Sequence, residues 1–162
     1  MIAATAWLWL ITLSAVAPGE PAPAATPVRV TLVVILASTA THDDVDPPLE
    51  ELAREVRKRE PQLRCFRLLA SHAQSILPGR QASFPLIEKQ EATVKIEAFP
   101  DERGRVRITL TAPGINQLTY ACVCDKYFPV VTPYRTRNGQ TLILALMAKP
   151  CTLHKQQNDQ EK

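Results

Sequence analysis

The sequence predicts an α+β domain: one amphipathic helix, about residues 47–60, packed on a mostly antiparallel sheet or small sandwich of about seven strands. Three observations carry this expectation. Beyond the N-terminus, helical periodicity occurs in one long stretch only. The rest of the chain falls into short alternating or β-branched runs separated by turn residues. The order is strand, helix, then strand after strand, without the alternating helices of a doubly wound parallel sheet.

The N-terminus stands apart from this domain. Residues 3–17 (AATAWLWLITLSAVA) are almost entirely apolar or small. At about 15 residues this run is short for a membrane span, which needs roughly 20. Prolines and small residues follow at once, which is the shape of a secretory signal peptide. Ala22-Pro23-Ala24 supplies a small-residue cleavage pattern. Ala15-Val16-Ala17 supplies another, although Pro18 would then be the first residue left. No Lys or Arg precedes the apolar run, so the α-amine is its one positive charge. Residues 1–24 are therefore expected to be a signal peptide, with a retained N-terminal anchor as the alternative. Residues 25–151 are expected to form a single globular domain, and 152–162 a disordered polar tail.

Within the domain, residues 28–36 (VRVTLVVIL) read as a strand. The first half alternates; the second is apolar on both faces, as a central buried strand would be. A polar loop, 38–46, follows. Asp46 suits a helix N-cap and Pro47 the first helical position. Glu50 and Glu51 lie at the positive end of the helix dipole, and Arg57, Lys58 and Arg59 at the negative end. Leu49, Leu52, Ala53 and Val56 form one apolar stripe, and Pro61 ends the helix. Strands are expected at 63–69, 83–87, 93–99, 105–111, 118–124, 127–136 and 141–148. Residues 93–99 and 105–111 read as a hairpin. Asn138-Gly139 marks a second hairpin. The first strand, the helix and the second strand could form a β-α-β crossover.

Composition narrows the function classes. The chain has 162 residues, 46% hydrophobic and 22% charged, at net charge +3, which fits a folded chain. The leader would take Glu20 and both tryptophans, Trp7 and Trp9, with it. That leaves 19 basic side chains against 15 of the 16 acidic ones, a net +4. This is not the strong basic bias of a nucleic-acid binder.

Four cysteines are the most informative polar residues. Cys65, Cys122, Cys124 and Cys151 are an even set in an exported chain, and so are disulfide candidates. A Cys122–Cys124 bond is geometrically poor, because alternate residues of a strand lie nearly 7 Å apart. Cys65 is then expected to pair with Cys122 or Cys124, and Cys151 with the other. Buried free thiols, and a metal or thiol site, are the alternatives. The spacing C-x-C is not the C-x-x-C of zinc or redox motifs.

The loop cluster of His42, Asp43, Asp44 and Asp46 offers oxygen and nitrogen ligands but lacks an EF-hand's spacing, so it reads as a solvated loop with a helix cap. His72 and His154 stand beside no nucleophile motif. The basic run Arg54, Arg57, Lys58, Arg59, Arg64, Arg67 is interleaved with Glu50, Glu51, Glu55 and Glu60, and reads as a solvated face. Tyr120, Tyr127, Phe128 and Tyr134 crowd the last strands, either as core packing or as one wall of a peptide or carbohydrate groove.

The sequence thus points to an exported, periplasmic or extracellular domain, non-enzymatic and acting by binding, with an envelope protein as partner. It assigns no catalytic, cofactor-binding or metal residue, no cofactor, no nucleic acid and no membrane span in the mature form. The edge at 127–136 could accept a partner strand, limited by Pro129 and Pro133. A small extracytoplasmic metal- or thiol-site protein using Cys122 and Cys124 is the alternative function.

Overall fold

The computed structural model describes residues 26–98, 101, 103 and 105–150. The expected signal peptide (1–24), Cys151 and the tail (152–162) lie outside the described residues. Nine strands and one α-helix follow in order: β1 (Val28–Thr39), β2 (Asp44–Val45), α1 (Glu50–Arg57), β3 (Leu63–Ile76), β4 (Gln81–Pro85), β5 (Glu91–Ile96), β6 (Arg105–Ala112), β7 (Ile115–Val123), β8 (Phe128–Arg135) and β9 (Thr141–Pro150). They form two sheets, β2-β3-β1-β9-β8 and β4-β5-β6-β7. Every pairing is antiparallel except β2 with β3.

The pattern of β1 explains the layering. Val28, Val30, Leu32, Val34 and Leu36 point into a core shared with Phe84, Val94, Ile108 and Leu110 of the other sheet. Val33, Ile35 and Ala37 point the opposite way, under Leu52, Ala53 and Val56 of α1. A strand between two layers needs apolar residues on both faces, and β1 runs between β3 and β9. Each fully buried leucine or isoleucine contributes about 1.5–3 kcal/mol. The broad expectation of an α+β chain, rich in sheet and with one helix, therefore holds.

Four finer expectations need correction. The helix expected over 47–60 is shorter. Pro47–Leu49 is a 3₁₀ turn and α1 covers Glu50–Arg57 only. Two successive prolines supply no N–H, so they fit an entry turn but not the body of a helix. Asp46 also does not cap with its side chain. Its carboxylate instead accepts the Arg67 guanidinium at 2.8 Å and the Leu68 N–H at 2.7 Å. Its backbone carbonyl accepts the Leu49 N–H at 2.8 Å.

The β-α-β crossover does not start from β1, which is antiparallel to β3. It starts from the two-residue β2, which runs parallel to β3 through Asp44–Cys65 and Val45–Phe66. A loop inside 38–46 left no periodic run long enough to signal this strand. The strand count also exceeds the expected seven. Both expected hairpins form, as β5–β6 and β8–β9. In the second, Gly139 takes φ +75°, the conformation that favours glycine.

Candidate functional site

α1 is short, so it covers only part of the outer face of the five-stranded sheet. Beside it lies a groove of about 770 Å³. Val33, Leu68, Ser71 and Pro129 line it from the sheet, and Leu49 and Leu52 from the helix side. The turn Asp125-Lys126-Tyr127 lines it from β7–β8. That turn is held in place by the Asp125 N–H, which donates to the Ala148 carbonyl at 3.0 Å. Asp125 adopts φ +62° and pairs with Lys149 at 3.3 Å. Leu68 (39%) and Tyr127 (42%) are among the most exposed large apolar side chains described. Glu51, Arg54, Glu55 and Lys58 add charges of both signs to the lining.

The acidic loop and the basic run largely neutralise one another. Arg67 binds Asp44 and Asp46, while Arg57 and Arg64 face Asp43 at 3.4 and 4.0 Å. The Leu68 N–H and then Arg67 hold the Asp46 carboxyl below its usual range. Arg57 also spans the end of α1: its guanidinium donates to the Leu63 and Arg64 carbonyls at 3.2 and 2.7 Å and sits 5.3 Å over the Phe66 ring. These arginines therefore act as clasps between the loop, α1 and β3. Lys58 pairs with Glu55. His42 is exposed at the edge of this loop and His72 half-exposed on β3. His154 lies outside the described residues. Among the described residues, no group of three His, Cys, Asp or Glu side chains is placed to hold a metal ion.

The cysteines are distributed rather than gathered. Cys65 lies on β3 of the five-stranded sheet; Cys122 lies on β7 of the other, with Cys124 just beyond its end. All three carry free thiols, and neither a Cys65–Cys122 nor a Cys65–Cys124 bond is formed. Cys151, the fourth candidate, lies outside the described residues. Burial pushes the Cys122 thiol up to about 11, aided by Cys124. Burial, then Asp125 and Asp101, push Cys124 up as well. Raised thiols are poor nucleophiles and poor ligands near neutral pH.

The aromatic cluster divides. Tyr120 stacks on Phe128 at 4.3 Å between the sheets. The Tyr120 hydroxyl has no hydrogen-bond partner among the described residues, and burial pushes it well above the ordinary tyrosine range. Tyr134 bonds to Glu88. Tyr127 alone of the four lines the groove. Sequence reasoning named Tyr127 but missed Leu68, whose one signal is the Leu68-Leu69 pair that breaks alternation in β3. The anticipated edge at 127–136 is β8, which among the described residues pairs with β9 alone.

No helix among the described residues is long and apolar enough to cross a membrane. Comparison with protein-family models, curated proteins and solved structures finds no match in any of the three.

Proposed function

We propose that this chain is an exported, non-enzymatic binding domain that holds another envelope protein in the groove between α1 and the Asp125-Lys126-Tyr127 turn. The groove carries the reading: an apolar floor with exposed Leu68 and Tyr127, rimmed by charges of both signs. That mixture suits a polypeptide surface better than a strongly charged ligand, which would need one dominant sign. Exposed aromatic and aliphatic side chains beside a concavity are the residues that anchor such contacts. Export rests on the apolar leader and the small-residue pattern Ala22-Pro23-Ala24.

A photo-crosslinking residue in place of Tyr127, in cells that produce the full chain, tests the reading. The expected result is one identified envelope protein captured at position 127. The same probe at Thr111, on the solvent side of the four-stranded sheet, should not capture it. Leu68→Glu should abolish the capture while the protein stays folded. Capture of the same protein from both positions, or of none from position 127, would overturn the proposal.

A further inference from the structure

The strand register decides which of the four cysteines can meet. Cys65 stands opposite Ser38 on β1, while Val28, at the other end of β1, stands opposite Pro150 of β9. At about 3.3 Å per residue, the end of β9 is therefore about 33 Å from Cys65. Cys151 follows Pro150 directly, a step of about 3.8 Å. A disulfide needs Cα atoms about 4.4–6.8 Å apart, so Cys65 and Cys151 cannot meet.

Cys124 lies at the opposite pole. The next residue, Asp125, donates its N–H to the Ala148 carbonyl at 3.0 Å, and its carboxylate pairs with Lys149 at 3.3 Å. Beyond the turn, β8 continues beside β9 with Phe128 opposite Leu146. The end of β9 is thus fastened twice to the residue that follows Cys124. From Ala148 to Cys151 is three peptide steps, at most about 11 Å. Ala148 stands opposite Val30, so Cys124 too is remote from Cys65, by about 26 Å along β1. Cys122 is 3% exposed and packed between the sheets with Val106 and Ile108. Cys124 is only half-buried, which leaves its sulfur open to an oxidant and to a neighbour.

We propose that Cys124 and Cys151 form the one disulfide of this protein, binding the end of β9 to the Asp125-Lys126-Tyr127 turn and leaving Cys65 and Cys122 as thiols. The free Cys124 thiol of the structure is the reduced form. The oxidant is a second disulfide, of the glutathione type. One protein thiolate attacks a sulfur of that disulfide and expels a thiolate, giving a mixed disulfide. The other protein thiolate then attacks the protein sulfur of the mixed disulfide and expels the second thiolate. Two protein thiols are oxidised, the oxidant is reduced to two thiols, and the two protons pass from the protein to the leaving groups. Cross-links that close long loops constrain the unfolded chain most, and this one spans residues 124–151. The turn is also one wall of the groove, so the bond would hold that wall in place. That consequence rests on the groove as a binding site; the bond itself does not.

Full reduction of the purified chain, then dilute treatment with oxidised glutathione, tests the proposal by intact mass and thiol alkylation. The expected product is a monomer lighter by about 2 Da, the loss of two hydrogens in a two-electron step. Its two remaining thiols should be Cys65 and Cys122. Cys124→Ser and Cys151→Ser should each abolish the bond, and Cys65→Ser and Cys122→Ala should each keep it. Cys122→Ala removes a core side chain, so alkylation of the unaltered oxidised chain in denaturant gives a second reading: Cys122 takes the label and Cys124 does not. Four free thiols after oxidation, a bond that survives Cys124→Ser, or a covalent dimer in place of the monomer would each overturn the proposal. No partner is present, so failure of the bond would leave the proposed role of the groove standing.

Discussion

The Tyr134 hydroxyl donates to the Glu88 carboxylate and so ties the β4–β5 turn of one sheet to β8 of the other, across 46 positions of sequence. The same carboxylate accepts the Arg137 N–H at 3.1 Å. Glu88 and Lys89 are the central pair of the β4–β5 turn, closed by the Gln90 N–H on the Ile87 carbonyl at 3.0 Å, and adopt φ of 55° and 61°, the left-handed pair such a tight hairpin turn demands. The Tyr134 bond, then the Arg137 N–H, hold Glu88 below its ordinary 4.5. Its contribution to stability is therefore complete above about pH 4.5 and disappears as pH falls through the lower folded value. Tyr134 is raised from 10.0 by the same bond, so its share is complete below pH 10 and lost as the pH rises through the raised folded value. Glu88→Gln should destabilise the protein at pH 7 and do so progressively less as the pH falls through the lowered folded value, read by urea denaturation at neutral and at acid pH. An equal loss at both values would mean that the carboxylate's charge plays no part.

A second contact between the sheets depends on a missing side chain. At Gly114, φ is +77°, and a Cβ there would lie 2.4 Å from Cγ of Pro133. The β6–β7 turn can approach β8 this closely only with glycine. Gly114→Ala should cost more than about 2 kcal/mol, combining backbone strain with a clash against a ring that cannot swing away. Gly79→Ala and Gly139→Ala, at φ +78° and +75° with nothing within 4 Å, should cost about 1 kcal/mol each. Chemical denaturation of the three variants distinguishes the cases; three equal losses would show that Pro133 yields.

The contrast among these residues explains what the sequence reveals. β1, β6 and β9 are legible because burial imposes period and β-branching on their own residues. The Gly139 hairpin is legible because its turn is built locally. The Glu88–Tyr134 tie and the Gly114–Pro133 approach are not, because each depends on a residue far away in the chain. Asp46 shows the same limit from the other side. Locally it is a good helix cap, yet Arg67 and the Leu68 N–H on β3 compete for its carboxylate and win. The groove is equally hidden: Leu68 looks like any strand residue until α1 is seen to stop short of it.

Arg57 gives a test of how α1 is held. Its guanidinium donates to two carbonyls and lies over Phe66, a buried ring 1% exposed. Lysine keeps the charge but not the planar fork or the stacking. Arg57→Lys should lower stability by about 1 kcal/mol. Hydrogen exchange should quicken locally at the amides of α1, while those of β9 keep their protection. Unchanged exchange in α1 would show that its apolar stripe alone fixes it.

The thiols should react in an order set by burial. Cys122 is 3% exposed and pushed up to about 11, so at pH 7 only about one molecule in ten thousand carries its thiolate. Cys65 is half-exposed on β3, near the surface of the acidic loop. Alkylation of the folded protein, followed by peptide mapping, should label Cys65 first and Cys122 only after denaturant opens the core. Early labelling of Cys122 under native conditions would mean that β7 opens from the core on its own, and would place a reactive thiol where the packing of Val106 and Ile108 leaves no room for one.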